Sequence, residues 1–148
     1  MTWQALEEAA PLIAAYAQER LAGRVAYLAT VQADGGPRVH PVTPIIGAGR
    51  LFIFMEPTSP KGRDLQRDGR YALHCGVEDN SGGAGEVIVR GRGTLVETPE
   101  LRAAAIASAS YQPSDRYILF ELLVEQVDVT IYEPEGVRRE RWRAGAAS

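Results

Sequence analysis

Ser59-Pro60-Lys61 is the stretch of this chain best equipped for chemistry. A hydroxyl and an ammonium stand two residues apart where an apolar, strand-like run (residues 51–55) gives way to a short basic helix (residues 59–67). The first N–H groups of a helix lack intrahelical partners, and the helix dipole adds partial positive charge there. Such a junction favours an anion, a phosphate above all. Thr58 stands beside the pair and Arg63 lies within reach. The plainer alternative is a solvated helix face carrying Lys61 and Arg63, with Ser59 a simple N-cap. Upstream, Arg38, His40 and Val42 share one face of a strand by alternation. They would line a pocket or form an exposed stripe, with Thr43 turned the other way.

Other routes to chemistry are thin. There is no P-loop, no complete G-x-G-x-x-G and no H-E-x-x-H. Gly91-Arg92-Gly93 lacks the third glycine and reads as a bulge or close backbone approach within a strand. His74 and Cys75 are adjacent on a strand, so their side chains point to opposite faces and cannot easily act together. Zinc would need about four ligands, and no convincing set presents itself. A borrowed, phosphate-bearing cofactor is the best source of any reactivity.

Composition narrows the class. The net charge of -3 argues against a general nucleic-acid role. Basic residues cluster locally, at 61–70 and 138–143, which suits a small anionic ligand better than a polyanion. The single cysteine, Cys75, cannot form an intramolecular disulfide. The N-terminus carries Glu7 and Glu8 and no basic leader segment. No apolar run approaches the roughly 18 residues of a membrane span. The expectation is a cytoplasmic protein of one domain over residues 1–148: a helix at 3–22, a barrel at 24–132 and a basic tail at 133–148.

The elements that must position these residues are mostly strands. Residues 3–22 carry a helical apolar stripe, which Pro11 breaks or kinks, and Gly23 is a natural stop. Residues 25–31 alternate two largely apolar sets, which predicts a strand covered on both faces. Asp34-Gly35-Gly36 marks a hairpin. The returning strand, 38–46, contains Pro41 and Pro44 and belongs at an edge or a bulge. Further strands are expected at 51–55, 71–77, 86–96, 117–124 and 126–132, with a loop at 78–85. A second helix is capped by Thr98 and Pro99 and ends before Pro113. Closely spaced strands with two main helices predict a mainly β, closed or half-closed antiparallel barrel of six to seven strands. The apolar run at 118–131 exceeds what one helix covers, which predicts burial against a second copy or an enclosed single-chain core.

These pieces, in this order, resemble the pyridoxamine 5'-phosphate oxidase-like FMN-binding split β-barrels. The matched segments are Leu28-Ala29-Thr30, the D-G-G-P hairpin at 34–37 and the polar second strand at 38–44. They continue with the strand bearing Phe52 and Phe54, then Ser59-Pro60-Lys61 and Asp64-Leu65-Gln66-Arg67-Asp68. The R-G-R-G strand at 90–93 and Arg141-Trp142 in a basic tail complete the likeness, which covers most of the chain. The resemblance implies a homodimer with flavin mononucleotide (FMN) at the subunit interface. It implies a phosphate held by Ser59 and Lys61, with Thr58 and Arg63 nearby. The flavin ring would lie against Arg38, His40, Val42 and Thr43 on one strand and Phe54 and Met55 on the other, with Trp142 stacking across the dimer. Met55 departs from the pattern, since a hydroxyl residue often stands there. Substrate-site residues of the vitamin-synthesising oxidases are not recognisable.

The leading expectation is an FMN-dependent oxidoreductase acting on a small molecule, with an external electron donor. His40 is the candidate acid, since its reference pKa lies near working pH. A deazaflavin-dependent reductase on the same fold is the second expectation. A non-catalytic flavin- or haem-binding dimer is the third. An oligonucleotide-binding barrel lacks the basic–aromatic stacking surface it would need.

Overall fold

The computed structural model describes residues 1–78 and 85–145. The described elements run α1 (Trp3–Ala9), α2 (Pro11–Leu21), β1 (Ala26–Val31), β2 (Pro37–Val42), β3 (Ile45–Gly47), β4 (Arg50–Met55) and α3 (Pro60–Arg67). They continue with β5 (Arg70–Cys75), β6 (Glu86–Val96), α4 (Pro99–Ser108), β7 (Ile118–Glu133) and β8 (Gly136–Arg143). Pro11 divides the first helical stretch in two and opens α2, where a missing N–H is harmless. Gly23, with φ of +69°, turns the chain out of α2.

All strand pairs are antiparallel, in the order β2-β1-β5-β6-β7-β4-β3, with β8 added on β7. The two ends of this order, β2 and β3, are consecutive in the chain and separated only by Thr43 and Pro44. The sheet therefore curls on itself, and its two edges meet through covalent chain rather than through a ladder. The fold is a split barrel with flanking helices. As expected of a proline-bearing strand, β2 lies at an edge.

Three strand expectations are corrected. The segment 38–46 breaks into β2 and β3, because Pro44 cannot donate to a ladder. The expected strands at 117–124 and 126–132 are one strand, β7, bent at Glu125. There the register with β6 jumps from Arg90↔Gln126 to Gly91↔Val124. The basic tail contributes an unexpected strand: β8 pairs along Gln126–Glu133 of β7. Thus β7 serves β4 with its first half and β8 with its second, which explains its length. The expected loop at 78–85 lies for the most part outside the described residues, as do residues 146–148. Either side of it, the buried Arg20 donates to the carbonyls of Gly76 (2.7 Å) and Gly85 (2.9 Å).

The main core packs α1 and α2 against the inner faces of the strands, around Trp3, Leu6, Leu21, Leu28, Leu73 and Phe120. A second, smaller cluster of Ile45, Phe52, Phe54 and Leu119 lies under Ala105 of α4. Alternation along β1 is clean on one face only. Ala26, Leu28 and Thr30 are buried, whereas Tyr27 is exposed, so the expectation of cover on both faces fails within one chain. The apolar run of β7 is likewise enclosed by its own chain, with Phe120, Leu122, Val124 and Val127 fully buried. Ile118, Leu123 and Ile131 of the same run stay half-buried.

Gly91 marks the tightest backbone approach. A Cβ there would stand 1.9 Å from the Leu123 carbonyl oxygen. Gly91→Ala is expected to lower the unfolding free energy by about 2–3 kcal/mol, read as a shift in urea midpoint.

Candidate functional site

The site is built around the first turn of α3, where β4 ends. Ser59 occupies the N-cap position, but its side chain caps nothing. Instead Lys61 Nζ donates to Ser59 Oγ at 2.9 Å, and both residues are buried. The reading of Ser59 as a simple cap and of Lys61 as a solvated face is therefore wrong. Lys61 is only 8% exposed and forms no ion pair among the described residues. Burial pushes its ammonium below the ordinary lysine range. A buried cation held by one neutral hydroxyl is an incomplete pair, and an anion is what completes it. Gly62 follows at once. A Cβ there would lie 2.8 Å from Met55 Sδ, so the glycine gives Met55 its buried seat at the end of β4.

On the other flank of α3, Asp64 is 2% exposed and holds the helix to the sheet. Its Oδ2 accepts from Thr30 Oγ1 (2.7 Å) and Arg38 Nε (2.7 Å), and its Oδ1 from Arg67 (2.8 Å). The register explains the convergence. Thr30 and Arg38 are cross-strand partners, both on the inner face of the β1–β2 pair. Burial pushes the Asp64 carboxyl up, but the donors Arg38, Thr30 and Arg67 outweigh it and hold the group below its ordinary value. Sequence reasoning quoted Asp64 within a motif and gave it no role. Its spacing to Arg67 (i, i+3) was the available signal.

The predicted residues fall into two neighbouring groups. Val42, Thr43, Phe54, Met55 and Lys61 line one cavity of about 320 Å³ at the split between β2 and β4. Arg38 and Arg63 line a second groove of about 320 Å³ with Gln32, Pro60, Asp64 and Arg67. The two flank the N-terminus of α3. Thr58 is exposed in the turn before it. His40 is on the same face as Arg38 and Val42 by register, but it is exposed and lines neither space. Its ring Nδ1 lies 2.9 Å from the Pro41 carbonyl. Trp142 stands opposite Val127 on β8, packed against the main core. Neither His40 nor Trp142 is brought to the cavity within one chain. Sequence reasoning missed four further lining residues: Pro41, Glu56, Tyr111 and Tyr117. The two tyrosines flank Pro113 in a polar stretch, the only sign of them in the sequence.

A flavin nucleotide needs an anion subsite joined to an apolar, planar one. The buried Lys61–Ser59 pair has the chemistry of the first. Val42, Phe54 and Met55, which line the cavity with Lys61, have that of the second. The residues present thus fit such a group.

A family model described as pyridoxamine 5'-phosphate oxidase matches residues 12–131. No curated protein matches the sequence. Among solved structures, a heme binding protein from Mycobacterium smegmatis aligns with TM-score 0.67 and 22% identity. The match covers 82% of this chain and 53% of that one, so this chain spans about half its length. HutZ, the heme storage protein from Vibrio cholerae, aligns with TM-score 0.61 and 22% identity, over 80% and 92% of the two chains. PhzG from Burkholderia lata 383, in complex with tetrahydrophenazine-1-carboxylic acid, aligns with TM-score 0.64 and 16% identity, over 93% and 85%. At these identities the likeness is one of fold.

Two variants test the electrostatics. Asp64→Asn is expected to cost about 1–3 kcal/mol of stability at neutral pH. A depressed carboxyl stabilises the fold above its unfolded pKa of about 4 and loses that contribution as pH falls through the folded value. The gap between parent and variant, read by denaturation at several pH values, should therefore close in acid. Lys61→Met is expected to be no less stable than the parent, since it removes a buried charge lacking a carboxylate. The parent should gain on this variant as pH rises from the depressed lysine value toward about 10.4, because the unfolded chain then binds more protons.

Proposed function

The chain belongs to the pyridoxamine 5'-phosphate oxidase family, and from that premise we propose that it binds FMN and serves as a flavin-dependent oxidoreductase on a small molecule. One observation carries the reading. Lys61, a buried ammonium with a hydroxyl as its partner, sits at a helix N-terminus on the wall of a cavity that it shares with Val42, Phe54 and Met55. Lys61 and Ser59 would hold the phosphate; in the first turn of α3 the Gly62 and Arg63 amides already donate to the Ser59 carbonyl at 3.1 and 3.2 Å. Val42, Thr43, Phe54 and Met55 would seat the ring and keep water from one side of it. The flavin would supply the redox chemistry; the chain supplies binding, orientation and the electrostatic setting.

A homodimer is part of the proposal. Val25, Tyr27, Val39 and Val77 are exposed apolar side chains that their own chain leaves uncovered. A second copy would cover them, and Trp142 would reach a ring only across such an interface.

The second groove favours one other reading. Arg63 has no partner among the described residues and shares that groove with Arg38 and Arg67. A deazaflavin with a long anionic tail would place the tail there.

Absorption spectra during titration with FMN test the first reading. The parent should develop the bands of bound flavin. Replacing Lys61 by Met together with Ser59 by Ala should weaken binding about 10- to 100-fold, the worth of one charge-assisted contact. No flavin bound by an intact protein would sink the reading. Binding of a deazaflavin in its place would select the second, and a Soret band on adding haem would point to the haem-binding alternative.

A further inference from the structure

The segment between α4 and β7 belongs to none of the motifs that point to the site, yet it walls the cavity. Tyr111 and Tyr117 line it together with Phe54 and Lys61. Two arginines hold this segment in place. Arg102 of α4 donates to the carbonyls of Tyr117 (2.7 Å), Asp115 (3.2 Å) and Ser114 (3.5 Å). The same guanidinium lies 5.2 Å from the centroid of the Phe54 ring, so one side chain ties the wall to the floor. Arg116 works from outside. Its Nε donates to the Glu56 carboxylate at 2.9 and 3.2 Å, and its guanidinium covers the Tyr117 ring at 5.2 Å. Glu56 itself lines the cavity and closes its rim.

Core packing does not account for this arrangement. Tyr117 packs partly on the smaller cluster, but Tyr111 remains 38% exposed. A large ring that lines a cavity wall and stays part-exposed in its own chain has area to give to a ligand. The cavity is also divided in character: the buried ammonium of Lys61 and aromatic and apolar groups share its lining, while the Glu56 carboxylate there is taken up by Arg116. That division matches a ligand with an anionic group and a planar ring.

We propose that Tyr111 and Tyr117 form an aromatic wall that packs on the ring system of the bound cofactor, with Arg102 as the positioning residue that holds the wall against Phe54. The proposal rests on the flavin reading above. It adds a third side to a ring site otherwise made by β2 and β4, and it makes the α4–β7 segment part of the binding machinery.

FMN titrations followed by flavin fluorescence test it. A phenol packed on the ring quenches flavin emission by electron transfer; a phenyl or an aliphatic group does not. Tyr111→Leu and Tyr117→Leu should bind FMN about 3- to 10-fold more weakly and emit more brightly when bound. Tyr111→Phe and Tyr117→Phe should keep the parent's affinity while gaining the same brightness, a separation that a merely structural role would not produce. If Tyr117→Leu fails to fold, Tyr111→Leu, at the more exposed position, carries the same readout. Arg102→Met should shift emission in the same direction as the leucine variants. Leucine variants that match the parent in affinity and emission would overturn the wall while leaving the flavin reading intact. A parent that binds no FMN would overturn both.

Discussion

The buried carboxylate of Asp64 holds the open side of the barrel together. The sheet's ends, β2 and β3, meet without a backbone ladder, so side chains must fix the edge strand β2 against what lies across the split. Asp64 gathers Thr30 from β1, Arg38 from β2 and Arg67 from its own helix onto one group that water barely reaches. A charge so buried is tolerable only because its oxygens are bonded to two guanidiniums and a hydroxyl. Its placement sets the distance of α3 from β2, and hence the position of Lys61 relative to Val42 and Thr43. The cavity is a consequence of that anchoring.

Lys61 presents the opposite case on the same helix. One flank of α3 carries an anion whose charge is fully answered. The other carries a cation answered by one hydroxyl. The first arrangement is a structural joint and the second an unfinished one. The asymmetry separates the residues that build the split from those that a ligand would complete. It also explains why Arg38, which the family resemblance places with the cofactor, is engaged by Asp64 in this chain.

Length and curvature along β7 shape the rest. A strand that pairs with β6 throughout, with β4 early and with β8 late must change direction between its two commitments. The extra residue at Glu125 makes that bend, and the missing side chain at Gly91 lets the two backbones close over it. The bend carries the apolar side chains of β7 inside the chain. Among the exposed apolar residues, Val25, Tyr27 and Val39 lie together on and beside β1 and β2.

Much of this was legible in the residues. Alternation, the D-G-G turn, the prolines of β2 and the Ser59-Pro60-Lys61 junction specify strands, an edge and an anion-favouring helix start, because each is a local property of backbone geometry or side-chain chemistry. Those signals sufficed for an antiparallel barrel and for Lys61; the family resemblance supplied the split and the ring-facing residues Val42, Thr43, Phe54 and Met55, which line the cavity with Lys61. Tertiary structure alone decided the remainder. Whether Ser59 caps its helix or meets Lys61 depends on burial, which no spacing encodes. That 117–132 is one bent strand depends on its three neighbours, and that the tail becomes β8 depends on the unpaired second half of β7. Tyr111 and Tyr117 reach the cavity on a segment about sixty residues from Phe54 in the chain and adjacent to it in space, which Arg102 ties down at Ser114, Asp115 and Tyr117, and long-range contacts of that kind leave no periodic trace in the sequence.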